Sequence, residues 1–552
     1  MFPTEVSSFS ELFTTNQVIV YLILSIANGI LLLFASMKYL LVLQQCGYWR
    51  KRYFKWVGSK DSSYNSRLML LCLLAFLFFC VLCMCFSGML GKAVSSYVGF
   101  ISYFLFMIVY INTEKNVNSK IPLRKTPRLV RLIITYIIFI TAVTFGVITL
   151  FNYLSFVIAE EVFAILRFSV LCILPILVPY LLFTAYCINE PLEWCIRTHY
   201  LRVAKQKLQK TDVIRIGITG SYGKTSVKEI LKTILSQKFR VLATPQSYNT
   251  PLGMALTVKN LDSTHDIFIA EMGARSKGDI KELTDLVKPK YGILTGINSQ
   301  HLETFLTIEN TKDTKFELFE NLAEGGLGIF SHDNQGAIEL YERYDGKKFY
   351  AGVDGKNNLV YASGIHTDRN GTQFILNVKG EQPVICSTVL LGKHSISNIC
   401  LASAMAYKLG MTPDEIALGI NRIQSVGHRL ELRPNNKNIV IIDDSYNSNT
   451  DGIKAAMEVL DMFDGRKIVV TPGLVELGKE ENLANFELGK TLANHADMVI
   501  VVGKHNAQMI INGLLENGMD RENIKFAKSL NRGNEVLNDI MKDGDVVLFE
   551  NG

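Results

Sequence analysis

The sequence predicts a membrane bundle of five α-helical spans followed by two α/β domains. Five long apolar stretches lie within residues 1–190, and each can cross a bilayer core of ~30 Å as a helix. From residue 211, and again from near residue 436, short β-branched runs alternate with amphipathic segments, which is typical of βαβ units with a mostly parallel sheet. We therefore divide the chain into a membrane domain (1–190), an amphipathic juxtamembrane linker (191–210) and two α/β domains (211–427 and 428–552).

Composition agrees with a membrane protein and excludes several other classes. Hydrophobic residues make up 49% and charged residues 20% of the 552 residues, which is too apolar for a disordered chain. The net charge of +6 is a small surplus for this length, so no nucleic-acid partner is expected. No histidine lies near Cys80, Cys83 and Cys85, and most cysteines lie in or beside apolar runs, so we expect neither a zinc site nor a disulfide framework.

Loop charges predict the orientation of the spans. The loops after the first and third stretches each carry six lysines and arginines, which the positive-inside rule places in the cytoplasm. The N-terminus is then outside, and everything after residue 190 is cytoplasmic. Pro175 and Pro179 predict a kink in the last stretch. The five stretches are 18–43, 68–90, 94–111, 132–157 and 163–187.

The linker reads as a basic amphipathic helix that leaves the membrane. Its sequence, EPLEWCIRTHYLRVAKQKLQK, places Trp194 and Tyr200 at headgroup level. An ordinary juxtamembrane connection and a helix that binds membrane lipid both fit this pattern.

The most specific motif is a glycine-rich loop between a strand and a helix. The strand VIRIGIT leads into TGSYGKT, residues 219–225, and then into a helical pattern. Glycines let backbone N–H groups approach a phosphate, the lysine adds positive charge, and the threonine hydroxyl suits Mg²⁺. Ile218 stands where the common P-loop has its first glycine, so this is a shorter variant. We expect it to bind a nucleotide through Gly220, Ser221, Gly223, Lys224, Thr225 and Ser226.

The segment TGSYGKTSVKE closely resembles the ATP-binding loop of the Mur ligase family, the ATP-dependent amide-forming enzymes of peptidoglycan assembly and their relatives. Later segments match the family in order and spacing, from residue 211 to 552. The resemblance implies a P-loop central domain, a Rossmann-like C-terminal domain, and ATP and Mg²⁺ as cofactors. Together with the predicted spans and their orientation, it indicates a location at the bacterial inner membrane with cytoplasmic catalytic domains.

Four positions of the central domain are carried over from the family to acceptor and metal binding. Asn249 and Thr250, in SYNTPLG, match the loop that contacts the acceptor and the γ-phosphate region. Glu271 closes DIFIAEMG like the family's metal-binding glutamate, and it would share Mg²⁺ with Thr225. His301, in INSQHLETF, matches the histidine of a second Mg²⁺ site.

The segment TKDTKFELF places Lys315 where the family has a carbamoylated lysine. Carbamoylation turns a cation into an anion that can help to hold Mg²⁺. Lys312, one helical turn earlier, is a competing candidate.

Further matches concern the nucleotide and the C-terminal domain. LLGKHSISN resembles the family's G-x-H-x-x-x-N segment, which brings His394 and Asn398 to the adenine and ribose. SHDN, with Asp333 and Asn334, resembles a loop that borders the nucleotide, and a plain turn fits it equally well.

Arg429, in VGHRLEL, matches an arginine that reaches the phosphates from the domain junction. IIDDSYNSNTD resembles the D-D-x-Y-N-x-N-P loop of the branch that adds D-alanyl-D-alanine, with Asp444, Tyr446, Asn447 and Asn449 as its functional members.

Two functions are compatible with these matches. Family members start with a soluble domain that holds a UDP moiety, whereas five predicted spans occupy that place here. The first hypothesis is therefore a ligase that joins an amino acid or short peptide amine, through an acyl phosphate, to a carboxylate on a lipid-linked cell-envelope glycan. The alternative keeps the nucleotide-linked acceptor: D-alanyl-D-alanine is added to UDP-N-acetylmuramoyl-tripeptide by a membrane-tethered enzyme. A transporter or scaffold with a nucleotide-sensing domain is disfavoured, because the apolar stretches contain few charges.

Overall fold

The computed structural model describes residues 15–59, 70–71, 73–75, 77–78, 81, 92–113, 123–157, 171, 173–245, 248–298, 302–353, 355–368, 370–425, 427–433, 438–445, 450–475, 477 and 480–550. The chain divides into two compact units, Met1–Thr198 and His199–Gly552. Each unit has its own hydrophobic clusters.

The first unit is helical. Within the described residues, Thr15–Gln45 and Pro127–Phe151 are long and apolar enough to cross a membrane by length and composition. They contain most of the first and fourth predicted spans. The third span falls in a helix, whereas most of the second span and the beginning of the fifth lie outside the described residues, so five spans remain a prediction. The helices are α1 Thr15–Gln45, α2 Arg50–Val57, α3 Lys92–Thr113, α4 Pro127–Val157 and α5 Val178–Gln209.

Small and polar side chains join these helices. A Cβ at Gly29 in α1 would lie 2.9 Å from the Thr141 hydroxyl of α4, so the glycine permits close approach of the two helices. Near the helix midpoints, Asn28 donates to the Thr144 hydroxyl at 3.1 Å and accepts from the Tyr103 hydroxyl at 3.2 Å. All three polar groups are buried and hydrogen-bonded, which stabilises α1, α3 and α4 against one another.

The predicted kink is present. Residues 174–177 form a turn, and α5 begins at Val178 with Pro179 in its first turn, where a proline removes no helical hydrogen bond. From there α5 continues as one helix through the segment predicted as the linker, and Pro191 lies inside it. Arg131 of α4 donates to both carboxylate oxygens of Glu193, at 2.5 and 2.8 Å.

The second unit begins with a nine-stranded sheet in the order β2-β3-β1-β4-β5-β6-β7-β8-β9. Neighbouring strands in this order are parallel from β2 to β7. Strand β8 is antiparallel to β7, and β9 is antiparallel to β8. The strands are β1 Ile214–Thr219, β2 Val241–Ala243, β3 Ile267–Glu271, β4 Tyr291–Leu294, β5 Leu327–Ser331, β6 Lys347–Gly352, β7 Val360–Asp368, β8 Gly371–Val378 and β9 Val384–Thr388.

Helices cover both faces of this sheet, and the strands alternate between two cores. Ile267 and Ile269 of β3 pack with one set of helices, whereas Phe268 and Ala270 pack with the other. The first set is α6 Lys224–Leu235, α12 Lys393–Lys408 and α13 Pro413–Ile420. On the other side lie α7 Pro251–Val258, α8 Asp279–Val287, α10 Ile308–Glu320 and α11 Gln335–Arg343, with the short α9 Leu302–Phe305 before α10.

A six-stranded sheet follows in the order β10-β11-β15-β12-β13-β14, parallel except for β10. The strands are β10 Glu431–Arg433, β11 Val440–Asp444, β12 Lys467–Thr471, β13 Met498–Val502, β14 Ile524–Ala527 and β15 Val546–Glu550. The helices are α14 Thr450–Asp461, α15 Glu481–His495, α16 Ala507–Glu516 and α17 Leu530–Ile540, with a 3₁₀ turn at Arg521–Asn523.

The parallel strands predicted from β-branched runs are confirmed in both sheets. No strand is predicted from the sequence for residues 360–388, where β7, β8 and β9 form an antiparallel extension. These strands alternate buried and exposed residues, because one face is open, and so lack the continuous apolar runs on which the prediction depended.

Candidate active site

The candidate site lies where β1, β3 and β4 end. Parallel strands present their carboxyl ends at one edge of the sheet, so the loop after β1, Glu271 at the end of β3 and Thr295 after β4 lie together. Gly220 adopts φ +149° and Gly223 φ +75°, and a side chain on Gly220 would overlap the Thr295 hydroxyl. Gly223 is the N-cap of α6, so the first N–H groups of this helix face the loop.

Lys224 folds back over the loop. Its Nζ donates to the carbonyl oxygens of Gly220 at 2.7 Å and Ser221 at 3.1 Å. The pKa of Lys224 is lowered to about 8, mainly by desolvation; the Glu271 carboxylate opposes this shift, and the Arg429 charge adds to it. The ammonium is therefore poorly compensated in this environment, which favours a ligand that brings negative charge.

Oxygen donors converge beside the loop. The Thr225 hydroxyl donates to Glu271 Oε1 at 3.1 Å, and Asn249 Nδ2 lies 3.5 Å from the same oxygen. A threonine hydroxyl and a buried carboxylate fit the ligand preference of Mg²⁺. Within the described residues, no group of three or more His, Cys, Asp or Glu side chains is placed to hold a metal. Thr250 caps α7 by accepting from Gly253 N at 3.3 Å.

Lys315 and Lys312 have opposite environments. Lys315 is buried, and burial, with the nearby charge of Lys224, holds its pKa well below the usual range. Lys312 pairs with Glu309 at 2.9 Å and Glu339 at 2.6 Å, which raises its pKa. A neutral amine is the form that reacts with CO₂, so of the two candidates Lys315 is the one suited to carbamoylation.

Neighbouring loops hold the P-loop in place. Ser221 N donates to Gly296 O at 2.7 Å, and the Ser221 hydroxyl accepts from Asn298 N at 3.2 Å. Asn334 accepts from Ile297 N and Ala337 N, both at 3.0 Å, and donates to the Tyr222 hydroxyl at 3.1 Å. The Asn334 side chain therefore caps α11 and holds the Tyr222 hydroxyl in place.

A cleft of about 320 Å³ extends from the loop between the two α/β domains. The cleft is lined by seven of the predicted nucleotide-binding residues: Gly223, Ser226, Asp333, His394, Asn398, Arg429 and Asp444. The cleft is also lined by five residues to which no motif assigned a role: Tyr222, Lys393, Ser397, Lys454 and Glu458. Lys454 and Glu458 are four residues apart on α14, a spacing that places both on one helix face, but neither belongs to the motif IIDDSYNSNTD, which ends at Asp451.

Two titrating groups of the cleft are shifted by their surroundings. Although His394 is accessible from the cleft, desolvation by the cleft walls and then the Arg429 charge lower its pKa to about 4. The imidazole is therefore neutral near pH 7 and offers both a donor and an acceptor. Burial raises the pKa of Asp444 to about 6, against the opposing effect of Arg429.

The backbone around Arg429 is unusual. His428 and Leu430, on either side of it, have φ +62° and +45°. His428 Nδ1 lies 2.9 Å from Asp443 Oδ2, and Leu430 N donates to Asp444 Oδ1 at 3.3 Å. Contacts with the end of β11 thus hold a strained segment that directs Arg429 to the cleft.

Of the other predicted site residues, His301, Tyr446, Asn447 and Asn449 lie outside the described residues.

A short P-loop at the edge of a parallel sheet, facing a second α/β domain across a cleft, defines an ATP-binding enzyme of two α/β domains. The Mur ligase middle domain matches residues 218–406, and the glutamate ligase domain of Mur ligases matches residues 428–550. The chain belongs to the Mur ligase family, as the motifs predicted, and is an ATP-dependent, ADP-forming carboxylate–amine ligase. This family uses ATP with Mg²⁺.

Similar proteins include two UDP-N-acetylmuramoyl-tripeptide–D-alanyl-D-alanine ligases. That of Buchnera aphidicola (subsp. Baizongia pistaciae) is 31% identical over 56% of this chain and 67% of its own length. That of Escherichia coli K12 is 31% identical over 53% of this chain and 65% of its own length. The MurF ligase of Thermotoga maritima in complex with ADP superposes with a TM-score of 0.57 and 26% identity, covering 64% of this chain and 80% of that one. Residues 1–217 lie outside both family matches.

Proposed function

We propose that this ligase joins an amino acid or short peptide amine to a carboxylate on a membrane-associated, lipid-linked cell-envelope glycan. The observation that carries the proposal is the presence of two helices long and apolar enough to span a membrane ahead of the ligase domains. An enzyme held at the membrane surface meets a lipid-linked acceptor at a high local concentration.

The proposed reaction proceeds in two displacements. A carboxylate oxygen of the acceptor attacks the γ-phosphorus of ATP, ADP leaves, and an acyl phosphate forms. The amine nitrogen then attacks the acyl carbon, and phosphate leaves as the amide forms. Lys224 and Arg429 supply positive charge near the transferring phosphoryl group, and the first N–H groups of α6 supply oriented donors.

Other side chains take supporting roles in this proposal. His394, Asn398, Asp333 and Asp444 line the cleft and would contact the adenosine moiety. Thr225 and Glu271 would hold Mg²⁺, which neutralises phosphate charge when bound. Asn249, beside Glu271, would face the acceptor, as would Thr250, Tyr446, Asn447 and Asn449. Carbamoylated Lys315, with His301, would provide a second anionic metal site.

The membrane part of the proposal is a bundle of five spans with the N-terminus outside and the catalytic domains in the cytoplasm. The described helices α1, α3 and α4 support three of the five positions, two of them by length and apolar character. The basic loops after the first and third stretches support the orientation.

A second candidate is the reaction named for the relatives, the addition of D-alanyl-D-alanine to UDP-N-acetylmuramoyl-tripeptide. Identity of 31% to two ligases of that name favours it. In this case the apolar helices would serve only as an anchor.

The two candidates are separated by ADP release from the detergent-purified full chain. Amino acids and D-alanyl-D-alanine would be tested as amines, each with either UDP-N-acetylmuramoyl-tripeptide or a lipid-linked glycan extract. Turnover only with the lipid extract is expected. Turnover only with the soluble nucleotide substrate would contradict the membrane acceptor and establish the second candidate. Lys224→Ala is the blank.

A further inference from the structure

Lys228 is fully buried beside the candidate metal site. It lies on α6, one turn after Lys224, and its side chain is 0% exposed. Lysines are almost never fully buried unless they are paired. Its Nζ lies 3.2 Å from Glu271 Oε2 and 3.3 Å from Glu229 Oε1. Glu271 is itself 1% exposed, so this ion pair is shielded from water and held by the core of the domain.

The two carboxylate oxygens of Glu271 therefore face different partners. Oε2 faces the ammonium of Lys228, whereas Oε1 accepts from the Thr225 hydroxyl at 3.1 Å and lies 3.5 Å from Asn249 Nδ2. The backbone N–H of Glu271 donates to the buried Thr244 hydroxyl at 3.1 Å, which fixes the end of β3 as well. Rotation of the carboxylate would break the contacts on both sides at once.

This arrangement bears on which cation fits. Mg²⁺ is small, requires near-octahedral geometry and takes one oxygen from each carboxylate, whereas Ca²⁺ accepts both oxygens of one carboxylate in a flexible shell. An ammonium beside Oε2 keeps that oxygen from a metal that approaches Oε1 on the Thr225 side.

We propose that Lys228 is a positioning residue that restricts Glu271 to one-oxygen coordination and thereby makes the site prefer Mg²⁺ over Ca²⁺. The inference rests on the proposed role of Glu271 as a Mg²⁺ ligand. It assigns Lys228 no contact with substrate.

The test measures metal binding directly, apart from turnover. The full chain in detergent, saturated with adenosine 5′-(β,γ-imido)triphosphate, is loaded with Mn²⁺, and bound Mn²⁺ is followed by electron paramagnetic resonance while Mg²⁺ or Ca²⁺ displaces it. Lys228→Gln is expected to weaken Mg²⁺ binding by about 10- to 100-fold, the usual effect of removing a residue that orients a metal ligand. Ca²⁺ binding should weaken less, so the Mg²⁺/Ca²⁺ preference narrows. Lys232→Gln, an exposed change one turn further along α6, is the matched control and should leave both constants unchanged.

The outcomes separate this inference from the proposed metal site. A folded Lys228→Gln protein with the wild-type Mg²⁺/Ca²⁺ ratio would overturn the inference, provided that Glu271→Gln weakens both ions. If Glu271→Gln leaves both ions unaffected, the metal site itself is wrong. If Lys228→Gln does not melt cooperatively, the wild-type protein still decides: Ca²⁺ bound as tightly as Mg²⁺ contradicts the inference. Lys228→Arg, which retains a positive charge, should keep the Mg²⁺ preference.

Discussion

Lys224, Lys228 and Lys315 surround the P-loop, and each has a different environment. Lys224 bonds only to loop carbonyls among the contacts described, Lys228 is paired with a buried glutamate, and Lys315 is buried where its charge is disfavoured. These environments suit the three proposed tasks, which are binding phosphate for Lys224, orienting a carboxylate for Lys228 and presenting a neutral amine for Lys315.

Replacing Lys224 by methionine is expected to lower the rate of ADP release by about 100- to 1,000-fold, because a fixed charge near the transferring phosphoryl group is lost. The fold should survive, since within the described part of the chain the side chain bonds to the carbonyls of Gly220 and Ser221 and to no other group. ADP release and thermal melting measure the two effects. Lys232→Met, on the exposed side of the same helix, should change neither. A Lys224→Met enzyme with more than a tenth of wild-type turnover would contradict the assignment.

The raised pKa of Asp444 should make the stability of the fold depend on pH. Its pKa rises from 3.8 to about 6 on folding, mainly through burial, so between these values the folded protein binds more protons than the unfolded chain. The charged carboxylate then lowers stability as pH rises through 6, by at most about 3 kcal/mol and by less for a half-buried group. Asp444→Asn should therefore raise the melting temperature at pH 8 and leave it unchanged near pH 4.

The neighbouring Asp443 provides a control of opposite sign. Burial alone would raise its pKa, but hydrogen bonds from Ser445 and the charge of Arg433 outweigh burial and lower it. Its charged form stabilises the fold above the unfolded pKa, and this contribution is lost as pH falls. Asp443→Asn should lower the melting temperature at pH 8. Equal shifts of one sign in both variants would show that the two carboxylates do not differ as described.

Two helices of the second unit, α6 and α8, begin after a glycine. The N-caps of α6 and α8, Gly223 and Gly278, both adopt left-handed backbone conformations, at φ +75° and +93°. A Cβ at Gly223 would lie 3.0 Å from Asn398 Oδ1 in the cleft, whereas a Cβ at Gly278 would meet nothing within 4 Å. The two helix starts therefore share a left-handed backbone conformation, which glycine adopts without strain, and differ in what surrounds it.

Alanine at either glycine is expected to reduce the free energy of unfolding by about 1–2 kcal/mol, because a side chain is disfavoured in the left-handed region. Only Gly223→Ala should also weaken nucleotide binding, since its Cβ would displace Asn398. Chemical unfolding and titration with a fluorescent ATP analogue measure the two effects. Weaker nucleotide binding in Gly278→Ala would show that helix strain alone, and not the contact with Asn398, explains the result.

The whole chain combines an apolar helical unit with a ligase unit of two α/β domains. The His199–Gly552 unit has its own sheets and clusters. The full chain should therefore remain with membranes after extraction with alkaline carbonate, whereas a chain of residues 199–552 should be released, because α1 and α4 are absent from it.

If the acceptor is lipid-linked, the 199–552 chain should bind the fluorescent ATP analogue like the full chain but lose turnover with the lipid extract. Retention of full turnover with that extract would contradict a need for the membrane unit. The Lys224→Met form of each chain is the control for nucleotide-independent signal.

Sequence patterns were sufficient to predict the parallel strands, the P-loop and the long helices α1 and α4. They were also sufficient to predict the family. Each depends on neighbours in sequence: a strand buried on both faces is a continuous apolar run, and a phosphate loop joins a strand to the next helix. The site residues predicted from the P-loop and the family motifs stay predictions, although seven of them line one cleft.

Contacts between distant segments could not be read in this way. Lys228 meets Glu271 only because α6 packs across the end of β3, and Asn334 reaches Tyr222 only because β5 lies beyond β4 in the sheet. The strained backbone on both sides of Arg429 likewise depends on contacts with the end of β11. The sequence specifies which elements form, since local burial and backbone preference decide that, whereas the pairing of side chains from different elements follows from how those elements pack.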